Sequence, residues 1–226
     1  MEEELKKHVS KTGTTTLGIV CKDGIVIAAD KRVTYGGEGG VSYIASADAE
    51  KIVHVNEKMI VTTAGNVSDV QKIIRIIKAE LKLKELRSRV KTSVQEAANL
   101  FSNMVYHNIR QFSNILGVTH FLLGGYDQNG FLLYEISADG ALKQITKYCA
   151  TGSGMINCNP ILDSEYKPNL SMQEGIKLAL KCINSSMKRD PASGEGIDVY
   201  TIKKDSINQE IQQKVEMKFV DVKNSD

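Results

Sequence analysis

The sequence predicts an α+β fold: a four-layer αββα sandwich in which two antiparallel sheets lie face to face with helices outside them. Three observations carry this expectation. Strand-patterned runs come in neighbouring pairs joined by tight turns, the helix-patterned segments are gathered in blocks between those pairs, and the strand-helix-strand alternation that builds a parallel sheet is missing. At 226 residues the chain is long enough to bury one sizeable core and short for two full domains.

Residues 14–30, TTTLGIVCKDGIVIAAD, form two β-rich runs about Asp23-Gly24, a dipeptide suited to a tight hairpin turn. A glycine-rich stretch follows, YGGEGGVSYIASADAEK, and then two further strand runs, KIVHV and MIVTTAG. Beyond Gly65 the period changes. Ile73, Ile74, Ile77, Leu81 and residues 83–86 fit a helix of several turns, with Ser68 or Asp69 as its cap. Ser93 and Glu96 have capping-box spacing and open a second helix carrying Ala97, Leu100, Met104 and Ile109.

Strand patterns return in THFLLGGYDQNGFLLYEIS, where Asn129-Gly130 marks a hairpin, and in GALKQITKYCATGSG beyond Asp139-Gly140. A capping box at Ser171 and Glu174 precedes a helix through Ile176, Leu178, Leu180, Ile183 and Met187, and GIDVYTIKK ends the core as a strand. The tail beyond Lys204 is polar, but Val215, Met217 and Phe219 alternate with Glu216 and Lys218, a strand period available to pair with a neighbouring chain's edge.

With 29 basic and 27 acidic side chains and a formal charge of +2, the chain lacks the electrostatic footprint of a nucleic-acid or anionic-membrane binder. Residues 1–13, MEEELKKHVSKTG, hold no apolar stretch of the secretory kind, and no later run reaches membrane-spanning length, so the expectation is a cytoplasmic protein. Cys21, Cys149, Cys158 and Cys182 form no CxxC pair and read as reduced thiols. The four histidines lack ligand spacing, and neither a metal nor a cofactor is expected.

The chemistry concentrates in KTGTTTLG, residues 11–18. Threonines favour strands, and that plain reading would suffice for three in a row. A threonine hydroxyl becomes a nucleophile when a base removes its proton, and one solution uses the residue's own α-amine. While Gly13 is attached, the nitrogen of Thr14 is an amide with a delocalised lone pair; cleavage between Gly13 and Thr14 would free an amine titrating near neutrality.

TGTTTLGIVCKDGIVIAADKR, TTAGNVSD, GGYD, ATGSG and RDPASGEGIDV, in that order, resemble a proteasome β subunit of the archaeal type, an N-terminal nucleophile hydrolase. The likeness spans Gly13 to about Lys203, and five separated motifs in order make it specific. The resemblance implies the sandwich fold reached above and a threonine endopeptidase. It further implies a propeptide of residues 1–13 cut at Gly13-Thr14, a catalytic domain of residues 14–203 and a C-terminal extension of residues 204–226.

Carried across, Thr14 matches the nucleophile, Lys51 the lysine that favours its deprotonated forms, and Asp30 the carboxylate that fixes that lysine. Gly65 matches the oxyanion donor, while Ser153, Asp190 and Ser193 match the polar set around the terminal amine. Val33, Ala49, Val53, Thr63 and Val67 match the substrate-binding pocket, and Thr63 puts a hydroxyl where a larger apolar residue is expected, which leaves substrate preference open.

Between Asp30 and Lys51 the chain is about five residues longer than the family pattern, with Gly36-Gly37-Glu38-Gly39-Gly40 in the excess. The resemblance also implies partners: seven-membered β rings, α subunits, a regulatory ATPase acting through the α ring, and unfolded protein substrates. The rival readings are an inert β-type ring subunit and a bacterial-type two-ring peptidase subunit, which GGYD and RDPASGEGID fit less well.

Overall fold

The computed structural model of the chain describes residues 13–35, 43–113 and 116–216. The first hairpin forms as the turn residues dictate: Thr16–Cys21 (β1) and Gly24–Asp30 (β2) pair antiparallel about Asp23 and Gly24. Val33–Tyr35 (β3) and Tyr43–Ser46 (β4) make a small separate hairpin within the glycine-rich stretch. Ile52–Asn56 (β5) and Met59–Gly65 (β6) follow as a second hairpin.

Two helices come next, Val67–Ser88 (α1) and Val94–Ile109 (α2). The capping box predicted at Ser93 and Glu96 is present, with both reciprocal bonds made. The cap of α1 is Asn66 rather than Ser68 or Asp69: Gly65 turns the chain at φ 110°, so the helix starts at Val67, earlier than expected, and Asn66 Oδ1 accepts from Ser68 N–H. Leu83 and Leu86 lie on α1 as expected but face outward, and the buried stripe ends at Leu81.

Thr119–Asp127 (β7), Gly130–Ile136 (β8), Leu142–Ile145 (β9) and Tyr148–Thr151 (β10) occupy the second block of strands. Met155–Glu165 (α3) stands where the sequence showed no helix; it carries Pro160 in its interior and buries only Cys158 and Leu162, so the apolar period that would announce it is too sparse. Met172–Arg189 (α4) begins with the second predicted capping box. Gly196–Ile202 (β11) and Ile207–Lys214 (β12) complete the described chain.

The layers now follow. One sheet runs β10-β1-β2-β11-β12 and the other β5-β6-β7-β8-β9, every pairing antiparallel. Strand β2 shows the period of two that joins the layers. Ile25, Ile27 and Ala29 face the second sheet's Ile52, Ile60, Leu122 and Leu133, whereas Val26 and Ala28 pack under α3 and α4 with Cys182 and Ile183. On the far side, α1 and α2 cover the second sheet through Ile73, Ile77, Phe101 and Val105 against Val61, Phe121 and Leu123. This is the αββα sandwich.

The strand expected in the tail lies at residues 207–214, before Val215, and pairs with this chain's own β11, extending the first sheet beyond residue 203. Met217 and Phe219 lie outside the described residues, as do residues 1–12 and the glycine-rich stretch at 36–40. Among the described residues no helix is long and apolar enough to cross a membrane. All four cysteines are free, and burial pushes the Cys21 and Cys149 thiols up to about 12.

Phe101 is fully buried and packs against Phe121 with the rings tilted by 58° and 5.2 Å between their centres. Phe101→Ala is expected to cost about 3–5 kcal/mol through lost burial and a residual cavity, seen as a lower denaturation midpoint with the fold otherwise kept.

Candidate active site

The site forms where the first sheet's leading edge meets the ends of β2 and β6. Thr14 stands just ahead of β1 and is buried. Its hydroxyl donates to the carbonyl oxygen of Gly13 at 2.7 Å, and the Lys51 ammonium reaches the same oxygen at 3.4 Å. Its amide N–H donates to Ser153 Oγ at 3.2 Å.

Asp30 ends β2 with its side chain wholly buried. Oδ1 accepts from Lys51 Nζ at 2.7 Å and Thr15 N–H at 2.9 Å; Oδ2 accepts from Gly194 N–H at 2.9 Å and Arg32 N–H at 3.1 Å. Four donors therefore occupy the carboxylate, which fixes Lys51 and ties it to the strand carrying Thr14. Burial holds the Lys51 ammonium below the ordinary lysine range, while Asp30 pulls the other way.

A second carboxylate organises the opposite side. Asp190 Oδ2 accepts from Ser153 Oγ at 2.6 Å and from Ser193 Oγ at 2.7 Å, and Oδ1 accepts from Ala192 N–H at 3.1 Å. With its proton committed to Asp190, the Ser193 hydroxyl accepts from Thr15 Oγ1 at 2.7 Å. The loop carrying Ser153 approaches Thr14 at Gly152, whose φ is 85° and where a side chain would strike the Thr14 carbonyl.

A cleft of about 380 Å³ opens beside Thr14, and Val33, Ala49, Lys51, Val53, Thr63, Gly65 and Val67 all line it. Asp30, Ser153, Asp190 and Ser193 do not line the cleft; hydrogen bonds join them to Lys51, to Thr14 and to one another behind it. Gly65 cannot carry a side chain, since a Cβ there would lie 2.2 Å from the Val118 carbonyl oxygen. The Thr63 hydroxyl donates to the Lys51 carbonyl at 3.3 Å, which satisfies the polar group that left the pocket's character undecided.

The sequence reading missed several contributors. Glu50, Gln71 and Ile74 line the same cleft. Gln71 and Ile74 follow Val67 at four and seven residues along α1, helical spacing that could have revealed them. Thr15 bridges to Ser193, and Thr34 Oγ1 accepts from Gly13 N–H at 3.3 Å. No signal distinguished these two from ordinary strand threonines. Among the described residues no group of three His, Cys, Asp or Glu side chains is placed to hold a metal ion.

Two facing antiparallel sheets between helices, with a hydroxyl residue leading the first strand onto a buried lysine, define the N-terminal nucleophile hydrolase architecture. The chain belongs to the proteasome subunit family: residues 10–202 match the family model described as "Proteasome subunit". It is 39% identical over 216 residues to the proteasome subunit beta of Archaeoglobus fulgidus, covering 96% of this chain and 95% of that one. Similar relatives include the proteasome subunit beta of Methanococcus aeolicus, 40% identical over 86% of each chain. That of Nanoarchaeum equitans is 38% identical over 86% of this chain and 95% of its own.

Asp30→Ala would leave the Lys51 ammonium buried without its partner and three backbone amides unsatisfied. The expected loss is about 3–5 kcal/mol, measured by chemical denaturation, and Asp30→Asn, which keeps the shape, is expected to lose less.

Proposed function

We propose that this chain is a threonine endopeptidase subunit of a proteasome core, that it processes itself between Gly13 and Thr14, and that it hydrolyses peptide bonds through an acyl-enzyme on Thr14. The observation that carries this reading is the convergence on one bond. The Thr14 hydroxyl and the Lys51 ammonium both reach the Gly13 carbonyl oxygen, at 2.7 and 3.4 Å, while Ser153 holds the Thr14 nitrogen at 3.2 Å.

In self-processing, Thr14 Oγ1 attacks the Gly13 carbonyl carbon and gives up its proton. The C–N bond breaks, and the departing nitrogen takes a proton, so the acyl group moves from nitrogen to oxygen as an ester. Water then hydrolyses the ester, releasing the Gly13 carboxyl and restoring the Thr14 hydroxyl beside a free α-amine. In later turnover that amine takes the hydroxyl's proton as a substrate carbonyl is attacked, then passes it to the leaving amine. Lys51 favours the deprotonated nucleophile by its charge, and a backbone N–H at Gly65 stabilises the oxyanion, a contribution of about 3 kcal/mol.

Ser153, Asp190 and Ser193 keep the new amine oriented in this reading. Val33, Ala49, Val53 and Val67 give the cleft aliphatic walls, which suits apolar substrate side chains. Family membership supports assembly with other subunits. We propose β rings of seven closed by head-to-tail contacts, flanked by α rings and fed unfolded chains by an ATPase in the cytoplasm. An inert ring subunit would share the fold, but the complete polar set around Thr14 favours the active form.

Intact mass of the assembled protein is expected to give a chain beginning at Thr14, with Thr14→Ala retaining all 226 residues. An uncut chain in a peptide-cleaving assembly would falsify the reading. Peptides with Leu or Tyr before the scissile bond are expected to be cleaved about tenfold or more faster than those with Asp, because burying a large apolar side chain contributes about 1.5–3 kcal/mol. The pH profile of kcat/KM is expected to be bell-shaped. It rises as the Thr14 amine loses its proton, near pH 8 for an ordinary α-amine. It falls as Lys51 loses its charge, at a pH below the usual 10.5 because burial depresses that group.

A further inference from the structure

We propose that Ala192 is the specificity-determining residue of self-processing: its methyl group is what restricts position 13 to glycine. This inference rests on the threonine-peptidase reading above and concerns only the leader.

Residue 13 is held at both of its polar groups. Its N–H donates to Thr34 Oγ1 at 3.3 Å, and its carbonyl oxygen accepts from Thr14 Oγ1 and Lys51 Nζ at 2.7 and 3.4 Å. Between these anchors the α-carbon lies against Ala192. A Cβ built on Gly13 would stand 1.7 Å from Ala192 Cβ, 2.8 Å from its Cα and 3.0 Å from its carbonyl oxygen. These nearest atoms all belong to Ala192 and none to the cleft walls. The limit on the leader residue is therefore set by a different surface from the one that would receive a substrate side chain.

Ala192 has little room to retreat. Its own N–H is bound to Asp190 Oδ1, and Ser193 N–H and Oγ both return to Asp190. The Pro191 carbonyl accepts from the Arg32 guanidinium at 2.8 Å. Gly194 donates to Asp30 Oδ2 at 2.9 Å and its carbonyl accepts from Lys31 N–H at 3.1 Å. Both flanks of the loop are tied to the catalytic carboxylates or to the end of β2. A side chain at 13 must then move the leader and carry its carbonyl away from Thr14 Oγ1.

The proposed restriction is steric: a side chain at position 13 meets Ala192 before anything else. A conformational requirement could not be relieved from elsewhere in the chain. A steric one can, by cutting back the opposing methyl.

The test is a double-mutant cycle on the full chain, assembled with its partner subunits, with processing followed by intact mass over time. Gly13→Ala is expected to slow cleavage about 100-fold, the scale of an ångström-sized misplacement of reacting atoms. In the Ala192→Gly background the same change at position 13 is expected to cost about tenfold or less, the remaining cost reflecting the Ala192 backbone atoms at 2.8 and 3.0 Å. An equal cost in both backgrounds overturns the proposal.

Should Ala192→Gly fail to assemble, the series Gly13→Ala, Gly13→Ser and Gly13→Val in the natural background decides the matter. Rates falling with side-chain volume support it; Gly13→Ala processed at the natural rate overturns it. Absence of any cut at residue 13 in the unaltered protein would instead overturn the peptidase reading, and the inference with it.

Discussion

The buried ion pair between Lys51 and Asp30 is the constraint on which the rest of the site depends. Removing an ammonium from water is expensive, and a partner at 2.7 Å recovers that cost only if the carboxylate's other lone pairs are also occupied. Here they are, by backbone amides from three separate segments: Thr15 beside Thr14, Arg32 after β2 and Gly194 before β11. Satisfying one charge thus pulls together the leading strand, the end of β2 and the loop that carries Ser193. The geometry of the site follows from the electrostatics of burying a single lysine.

The sandwich supplies a rigid frame for this arrangement. A chain of buried hydroxyls, Thr151, Thr16 and Thr62, links β10 and β1 to β6 across the two sheets at 2.6 and 3.1 Å, and Thr62 also accepts from Leu122 N–H. In a low-dielectric interior such bonds hold one relative position of the sheets in preference to others. That position puts Thr14, just ahead of β1, on the same cleft as Lys51, just ahead of β5, and Gly65 at the end of β6. Under the proposed function, preorganisation of this kind would let the site act without rearranging at the moment of reaction.

Much of this was legible in the sequence, and for identifiable reasons. The Asp23-Gly24 and Asn129-Gly130 hairpins and both capping boxes are local signals, written in residues that are neighbours in the chain. Helix α3 was hidden because Pro160 and a sparse apolar face remove the period that announces a helix, and β12 because Ile207 and Ile211 are the only apolar residues in an edge strand otherwise made of polar ones. The residues around Thr14 came from ordered motifs, not from periodicity; the fold sets Val33, Ala49, Lys51, Val53, Thr63, Gly65 and Val67 along one cleft with Thr14 and links Asp30, Ser153, Asp190 and Ser193 to it by hydrogen bonds. Thr15, Thr34 and Ala192 stayed invisible. Their contribution depends on what lies across a gap of a few ångströms from residues far away in sequence.

Thr14 is the proposed centre of reaction. The most direct test is to treat the assembled protein with an electrophilic peptide and locate the adduct by peptide mass mapping. A single label is expected on a peptide that begins at Thr14, absent when Asp30 is replaced by Asn. A label on another residue, or on a chain still joined to Gly13, would contradict that assignment.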